Sequence, residues 1–211
     1  AERQLGLRDR LRLFVAVGKA VAYSHRNLII HRDIKPANIM VERTPSGKYR
    51  PVIMDFGLAR EAGDGKGLTE SGAVMGTPAY MSPEQIRGET LDARSDLYAF
   101  GCLLYFVLTG EELHPSSKFD KIISMMLEHE HDLPQDTRLE GVDTRVRQLL
   151  ESLVRYDRSG RPASAEVVAG IIQGILNEPE AAPLVLAYEG PYTGTDAGTA
   201  QTSQPLHTSR G

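Results

Sequence analysis

The sequence has one cysteine, a small net charge and no long apolar run, and each shortage excludes a class of protein. Cys102 is alone, so no internal disulfide can form, and a reducing, cytoplasmic setting is the simplest interpretation. The formal net charge of −4 gives no reason to expect nucleic acid or an anionic membrane as a partner. The longest apolar run, residues 97–108, is too short to cross a bilayer and is typical of a buried helix.

What is present fits a globular domain that is mainly helical. The 211 residues, 41% of them apolar and 25% charged, are enough for one domain with a sizeable core. The apolar run at 97–108 predicts a central buried helix that ends at Gly110, and Ser164 is a plausible N-cap for the last helix. Apolar residues recur at helical spacing in four further segments, which predicts amphipathic helices over residues 8–25, 118–129, 144–156 and 164–176.

Three short β-rich runs, at residues 28–30, 39–41 and 52–54, predict strands. The last two flank a turn signal at residues 45–48, so they predict a hairpin with Asn38 at its entry and Asp55 at its exit. Because antiparallel pairing brings the two ends of a hairpin together, one ion could bridge them.

The residues around this hairpin have the chemistry that phosphoryl transfer needs. Asp33 can accept a proton from a substrate hydroxyl, and Lys35 can neutralise charge on a moving phosphoryl group. Asn38 and Asp55 are hard oxygen ligands of the kind that Mg²⁺ prefers. The chain therefore carries H-R-D-x-x-x-x-N at residues 31–38, followed by D-F-G at residues 55–57.

These motifs, with others in the same order, resemble the catalytic region of protein kinases. Residues 7–176 resemble the C-terminal lobe of a eukaryotic-like (Hanks-type) serine/threonine protein kinase in the style of bacterial members. The resemblance implies an α+β, mainly helical fold with a short β-hairpin at the catalytic face and no N-lobe. It also implies ATP and Mg²⁺ as cofactors and a protein substrate with a serine or threonine hydroxyl.

The resemblance implies a role for each residue of the catalytic centre. Asp33 is implied as the base that orients the acceptor hydroxyl, and Lys35 as the contact to the γ-phosphate. Asn38 and Asp55 are implied as the Mg²⁺ ligands. Thr77 is implied to line the acceptor site, hydrogen-bonded to Asp33 and Lys35.

Other positions are implied to support this centre. His31 is implied as a packing residue and Asp96 as the anchor of the catalytic-loop backbone. Glu84, in a Ser-Pro-Glu that replaces the usual Ala-Pro-Glu, is implied to pair with Arg161, although the two could be unrelated surface charges. His114 is predicted to be a surface loop residue, together with His129 and His131.

Residues 55–84 lose regular periodicity and contain several glycines and hydroxyl groups, which is typical of a functional loop. We expect a phosphate on Thr69 or Ser71 to pair with Arg32 and order this loop. Full activity after both hydroxyl residues are changed to alanine would contradict that expectation.

Three parts of the kinase pattern are missing from the sequence upstream of the first helix: a G-x-G-x-x-G turn, a strand lysine and the helix glutamate that would pair with it. We therefore expect residues 1–177 to be part of a kinase domain, either as a fragment of a complete kinase or as a natural truncation. The isolated chain is predicted to have negligible kinase activity and to expose apolar surface where the absent lobe would pack.

Residues 178–211 are predicted to be a flexible tail, because 13 of the 22 residues from 190 to 211 are Gly, Pro, Ser or Thr. This tail could lead to a further domain or a membrane anchor, in which case the chain would be the cytoplasmic part of an anchored kinase. Two other functions remain open: a non-catalytic kinase-like module that binds proteins, and a small-molecule kinase of related fold.

Overall fold

The computed structural model describes residues 5–56, 78–115, 123–124, 133 and 137–178. These residues form five α-helices and one antiparallel hairpin, with short 3-10 turns between them. None of the helices in these ranges is both long and apolar enough to span a membrane. The elements in chain order are α1 (Leu7–Arg26), β1 (Ile39–Arg43), β2 (Tyr49–Ile53), α2 (Pro83–Ile86), α3 (Ala93–Thr109), α4 (Thr144–Leu153) and α5 (Ala165–Asn177).

Helix α1 forms where the apolar stripe predicts it, and it extends one residue further at each end than the prediction. Its buried face packs against α5 and α3. Phe14 stacks on Phe100 of α3 with ring centroids 3.8 Å apart. A Cβ at Gly18 would lie 3.2 Å from the Phe100 ring, so the absence of a side chain there permits this close packing.

Helix α3 is the centre of the core, as the apolar run predicts. Leu97, Phe100 and Leu104 have no exposed surface. The helix begins at the N-cap Asp92, whose side chain accepts a hydrogen bond from the Arg94 amide, and it ends at Gly110 in the left-handed conformation (φ 76°).

The two C-terminal helices complete the core. Helix α5 begins after Ser164, whose hydroxyl accepts a hydrogen bond from the Val167 amide as predicted. Helix α4 begins as predicted at Thr144 but ends at Leu153, three residues before the predicted end. The predicted helix at 118–129 and the predicted tail lie almost entirely outside the described residues.

The hairpin has the predicted antiparallel pairing, but both strands extend further toward the turn than predicted, and β2 ends at Ile53, one residue before the predicted end. Ile39 pairs with Ile53, and Arg43 pairs with Tyr49 at the turn end. The Met54 amide donates to the Asn38 carbonyl at 2.9 Å, which extends the pairing by one bond toward the open end. Asn38 and Asp55 therefore flank the same end of the hairpin.

Two expectations from the sequence are wrong. Residues 28–30 are not a strand, because the Leu28 and Ile29 amides donate to the His25 and Ser24 carbonyls, both at 3.0 Å. This pair of bonds is the Schellman ending of a helix, with Leu28 in the left-handed position (φ 60°). His114 is not a surface residue: it is buried, and its Nε2 lies 2.9 Å from the Tyr98 hydroxyl.

Candidate active site

Asp96, near the start of α3, holds the backbone of the loop that follows α1. Its Oδ2 accepts from the His31 amide and its Oδ1 accepts from the Arg32 amide, each at 2.8 Å. The same Oδ2 lies 2.7 Å from Nε2 of His25 on α1. The Asp96 side chain is 1% exposed, so these bonds form away from water and hold the loop firmly.

His31 connects this loop to the end of β2. Its Nδ1 accepts a hydrogen bond from the Asp33 amide at 3.3 Å, so the proton of a neutral ring lies on Nε2, which is 3.0 Å from the Met54 carbonyl. The ring is fully buried and contacts the Phe56 ring at a centroid distance of 4.6 Å. Both nitrogens are used within the fold, which suits the packing role implied by the sequence.

The Asp33 carboxylate lies between a cation and an amide. The Lys35 ammonium is 2.9 Å from Oδ2, and the Asn38 Nδ2 donates to the same oxygen at 3.0 Å. Asn38 Nδ2 also donates to the Asp33 carbonyl at 2.8 Å. The carboxylate is 24% exposed, so it is oriented by its neighbours and still open to an incoming group.

The donor atoms at the hairpin end fit a magnesium ion. Because Asn38 uses its Nδ2 to bind Asp33, its Oδ1 is the side-chain atom left to act as a ligand. Asp55 is exposed and makes no hydrogen bond or ion pair with any residue that the structure describes. Mg²⁺ is usually held by one or two carboxylates together with water and phosphate oxygens, so one amide oxygen and one carboxylate suit it.

The structure contains the ion pair that the sequence predicts between Glu84 and Arg161. Arg161 Nη1 lies 2.6 Å from Oε1 and Nη2 lies 2.9 Å from Oε2. Burial alone raises the pKa of the Glu84 carboxyl, but the hydrogen bonds and charge of Arg161, together with hydrogen bonds from the backbone and Ser95, outweigh it, and the pKa lies below its usual value. Ser95 Oγ also donates to Oε1 at 2.8 Å, which joins α2 to the first turn of α3.

The positions of Thr69, Ser71 and Thr77 lie outside the described residues. Reasoning from the sequence missed two contacts that support the loop, one to Asp96 and one to the loop itself. His25 binds Asp96, and the Gln85 Nε2 donates to the Arg32 carbonyl at 2.8 Å.

Comparison with known proteins places these features in a family. A family model described as the protein kinase domain matches residues 2–170. The chain belongs to the protein kinase family. It is 42% identical over 172 residues to the serine/threonine-protein kinase PknB of Mycobacterium tuberculosis, covering 80% of this chain and 26% of that protein. It is 41% identical over 171 residues to PknB of Mycobacterium leprae, with the same coverage.

A third relative lies outside the mycobacteria. A protein of Streptomyces coelicolor described as a probable serine/threonine-protein kinase is 46% identical over 126 residues, which is 59% of this chain and 18% of that protein. The chain thus spans about a quarter or less of the length of these relatives.

Proposed function

We propose that this chain carries the phosphoryl-transfer residues of a serine/threonine protein kinase, which transfers the γ-phosphoryl group of ATP to a hydroxyl group of a protein. The observation that carries the proposal is the contact of the Asp33 carboxylate with Lys35 and Asn38, at 2.9 Å and 3.0 Å, beside the hairpin end that Asp55 follows. The names of the relatives support the same activity.

Phosphoryl transfer passes through a loose transition state with charge spread over oxygen atoms, so catalysis is mainly positioning and electrostatic stabilisation. Asp33 orients the acceptor hydroxyl and receives its proton on a carboxylate oxygen. Lys35 brings positive charge next to that carboxylate, where the transferred group would arrive. Asn38 and Asp55 would hold Mg²⁺, which supplies positive charge to the phosphate oxygens when it is bound.

We further propose that residues 1–177 are the C-lobe part of the kinase domain and that residues outside this chain cover the nucleotide. The exposed apolar side chains on the hairpin support this proposal, since Val41 and Tyr49, which the strand register places on the same face, are 46% and 41% exposed. In a soluble domain, neighbouring exposed apolar residues often mark a surface that another part of the protein covers. Residues 178–211 would be a flexible tail, as their composition predicts.

The segment at residues 55–84, which the sequence predicts to be a functional loop, would carry regulation and acceptor binding. Thr77 would line the acceptor site, and a phosphate on Thr69 or Ser71 would pair with Arg32. Mass spectrometry of the active full-length protein tests the second idea by locating the modified hydroxyl.

The deciding experiment replaces the base in the full-length gene product. Asp33→Asn keeps the shape of the side chain and removes its negative charge, so phosphate transfer should fall by at least about 100-fold. Nucleotide binding should largely remain, because Asp33 is assigned to the acceptor hydroxyl and not to the nucleotide or its Mg²⁺, and the asparagine keeps an oxygen near Lys35.

The matched control is Asp9→Asn. Asp9 is an exposed aspartate of α1 that pairs only with Arg12 among the described residues, and this change should leave transfer unaltered. Unchanged turnover in Asp33→Asn would refute the proposed role of Asp33. Absence of transfer in the wild-type full-length protein would instead favour a non-catalytic, protein-binding module.

A further inference from the structure

Three separate segments are joined in one closed ring of contacts around the loop at residues 31–33. The Arg32 amide donates to Asp96, and the Arg32 carbonyl accepts from Gln85, each bond being 2.8 Å long. Gln85 follows Glu84, whose carboxylate accepts from Ser95 at 2.8 Å. Ser95 precedes Asp96 in α3, so the ring closes through two pairs of adjacent residues.

Arg32 is the point in this ring where the backbone conformation is least favourable. Its φ of 65° lies in the left-handed region that non-glycine residues rarely adopt. Such a conformation persists where the surroundings fix it from more than one side. Here Asp96 fixes the amide of Arg32 and Gln85 fixes its carbonyl.

The Gln85 carboxamide uses both of its ends. Oε1 accepts from the Ser82 amide at 3.0 Å, while Nε2 donates to the Arg32 carbonyl at 2.8 Å. One partner is a donor and the other an acceptor, so the orientation of the amide is fixed. The Gln85 amide also donates to Ser82 Oγ at 3.3 Å, which completes a capping box at the start of α2.

We propose that Gln85 is a positioning residue for the catalytic base. By holding the Arg32 carbonyl it fixes the peptide group between Arg32 and Asp33, and with it the direction in which the Asp33 side chain leaves the backbone. This inference adds to the proposed function and rests on it for its catalytic consequence. It assigns to Gln85 a task that the capping box does not require.

The two tasks of Gln85 can be separated by a single substitution. Gln85→Glu retains an oxygen for the Ser82 amide and therefore retains the capping box, in which glutamate is as suitable as glutamine. The introduced carboxylate cannot donate to the Arg32 carbonyl, so only that bond is lost. Gln85→Met, of similar length and neutral, removes both contacts and serves if the charged variant does not fold.

Two controls isolate the effect. Gln148→Glu makes the same chemical change at an exposed position of α4 and should behave as wild type. Ser82→Ala removes the hydroxyl of the cap and leaves both ends of the Gln85 carboxamide with their partners. It should therefore leave amide exchange at residues 31–33 and kcat as in wild type.

The test measures amide exchange and kinetics in the full-length gene product. In Gln85→Glu, hydrogen–deuterium exchange of the peptide that contains residues 31–33 should become about tenfold faster, because the loop opens locally more often. With ATP and a mixed serine/threonine peptide pool, kcat should fall about tenfold with little change in the KM for peptide, because the base is less well positioned.

The outcomes separate the two proposals. Unaltered exchange and unaltered kcat in both Gln85 variants would overturn the inference. If Gln85→Glu exchanges faster but the wild-type protein itself transfers no phosphate, the link between Gln85 and the loop is upheld and the kinase activity is refuted. Faster exchange with unaltered kcat would show that the link is only structural, and the positioning role would be wrong.

Discussion

Arg161 binds the Glu84 carboxylate with two nitrogens, and both side chains are almost completely buried, at 0% and 4% exposed. The guanidinium also donates to the backbone carbonyls of Arg94 and Arg155 and lies 5.0 Å from the centre of the Tyr98 ring. One side chain thus joins α2, the start of α3 and the segment that follows α4.

Breaking this pair should destabilise the fold strongly. Arg161→Met leaves the Glu84 carboxylate buried without its cation, and the free energy of unfolding should fall by about 3–5 kcal/mol. Urea denaturation measures the change. The control is Arg26→Met, which breaks an exposed pair with Glu166 and should cost less than about 1 kcal/mol. Equal effects of the two substitutions would contradict the prediction.

The same pair should make the fold sensitive to acid. The folded pKa of Glu84 lies below its usual value of 4.5, so the unfolded chain binds this proton more readily. The stability that the pair contributes is therefore complete above the unfolded pKa and is lost as the pH falls through the lower folded pKa. Measured from pH 7 to pH 3, the free energy of unfolding should fall less steeply in Glu84→Gln than in wild type. Parallel pH dependences of the free energy of unfolding in the two proteins would show that Glu84 is not the source of the acid sensitivity.

Alanine substitutions at two glycines should change the free energy of unfolding in opposite directions. A Cβ at Gly101 would lie 2.7 Å from side-chain atoms of Leu153 and Val154, so Gly101→Ala should cost about 1–3 kcal/mol by overpacking. At Gly174, inside α5, nothing lies within 4 Å of the same atom, so Gly174→Ala should stabilise by about 0.5–1 kcal/mol through helix propensity. Thermal unfolding distinguishes the two variants, and a loss of stability in both would refute the prediction for Gly174→Ala.

Leu28 offers a route to a more stable protein. It occupies the left-handed position after α1, which favours glycine, and its side chain is 92% exposed. Leu28→Gly should raise the free energy of unfolding by about 1 kcal/mol. Leu28→Ala is the control, because it removes the apolar surface and keeps the unfavourable φ, so it should give no such gain. A similar gain in both variants would assign the effect to lost apolar surface.

Much of the fold could be predicted because it follows from local patterns. Local residue patterns predict three of the elements: the apolar stripe predicts α1, the apolar run predicts α3, and the turn signal predicts the β1–β2 hairpin. The prediction failed at residues 28–30, where a β-rich run forms the end of a helix. There the helix carbonyls of Ser24 and His25 accept hydrogen bonds from the Ile29 and Leu28 amides, which a strand would have used for pairing.

The sequence alone determined that Asn38 and Asp55 lie at the same end of the molecule's hairpin, since their spacing on either side of one short turn fixes that. It also determined the position of Asp33 five residues before Asn38. The tertiary structure decided how the loop that carries Asp33 is held. Asp96 and Gln85 bind the loop from 65 and 53 residues away, and Glu84 meets Arg161 across 77 residues. Such contacts depend on how helices pack around α3, and no local periodicity encodes that packing. For this reason His114 and Gln85 gave no signal of their places before the fold was known.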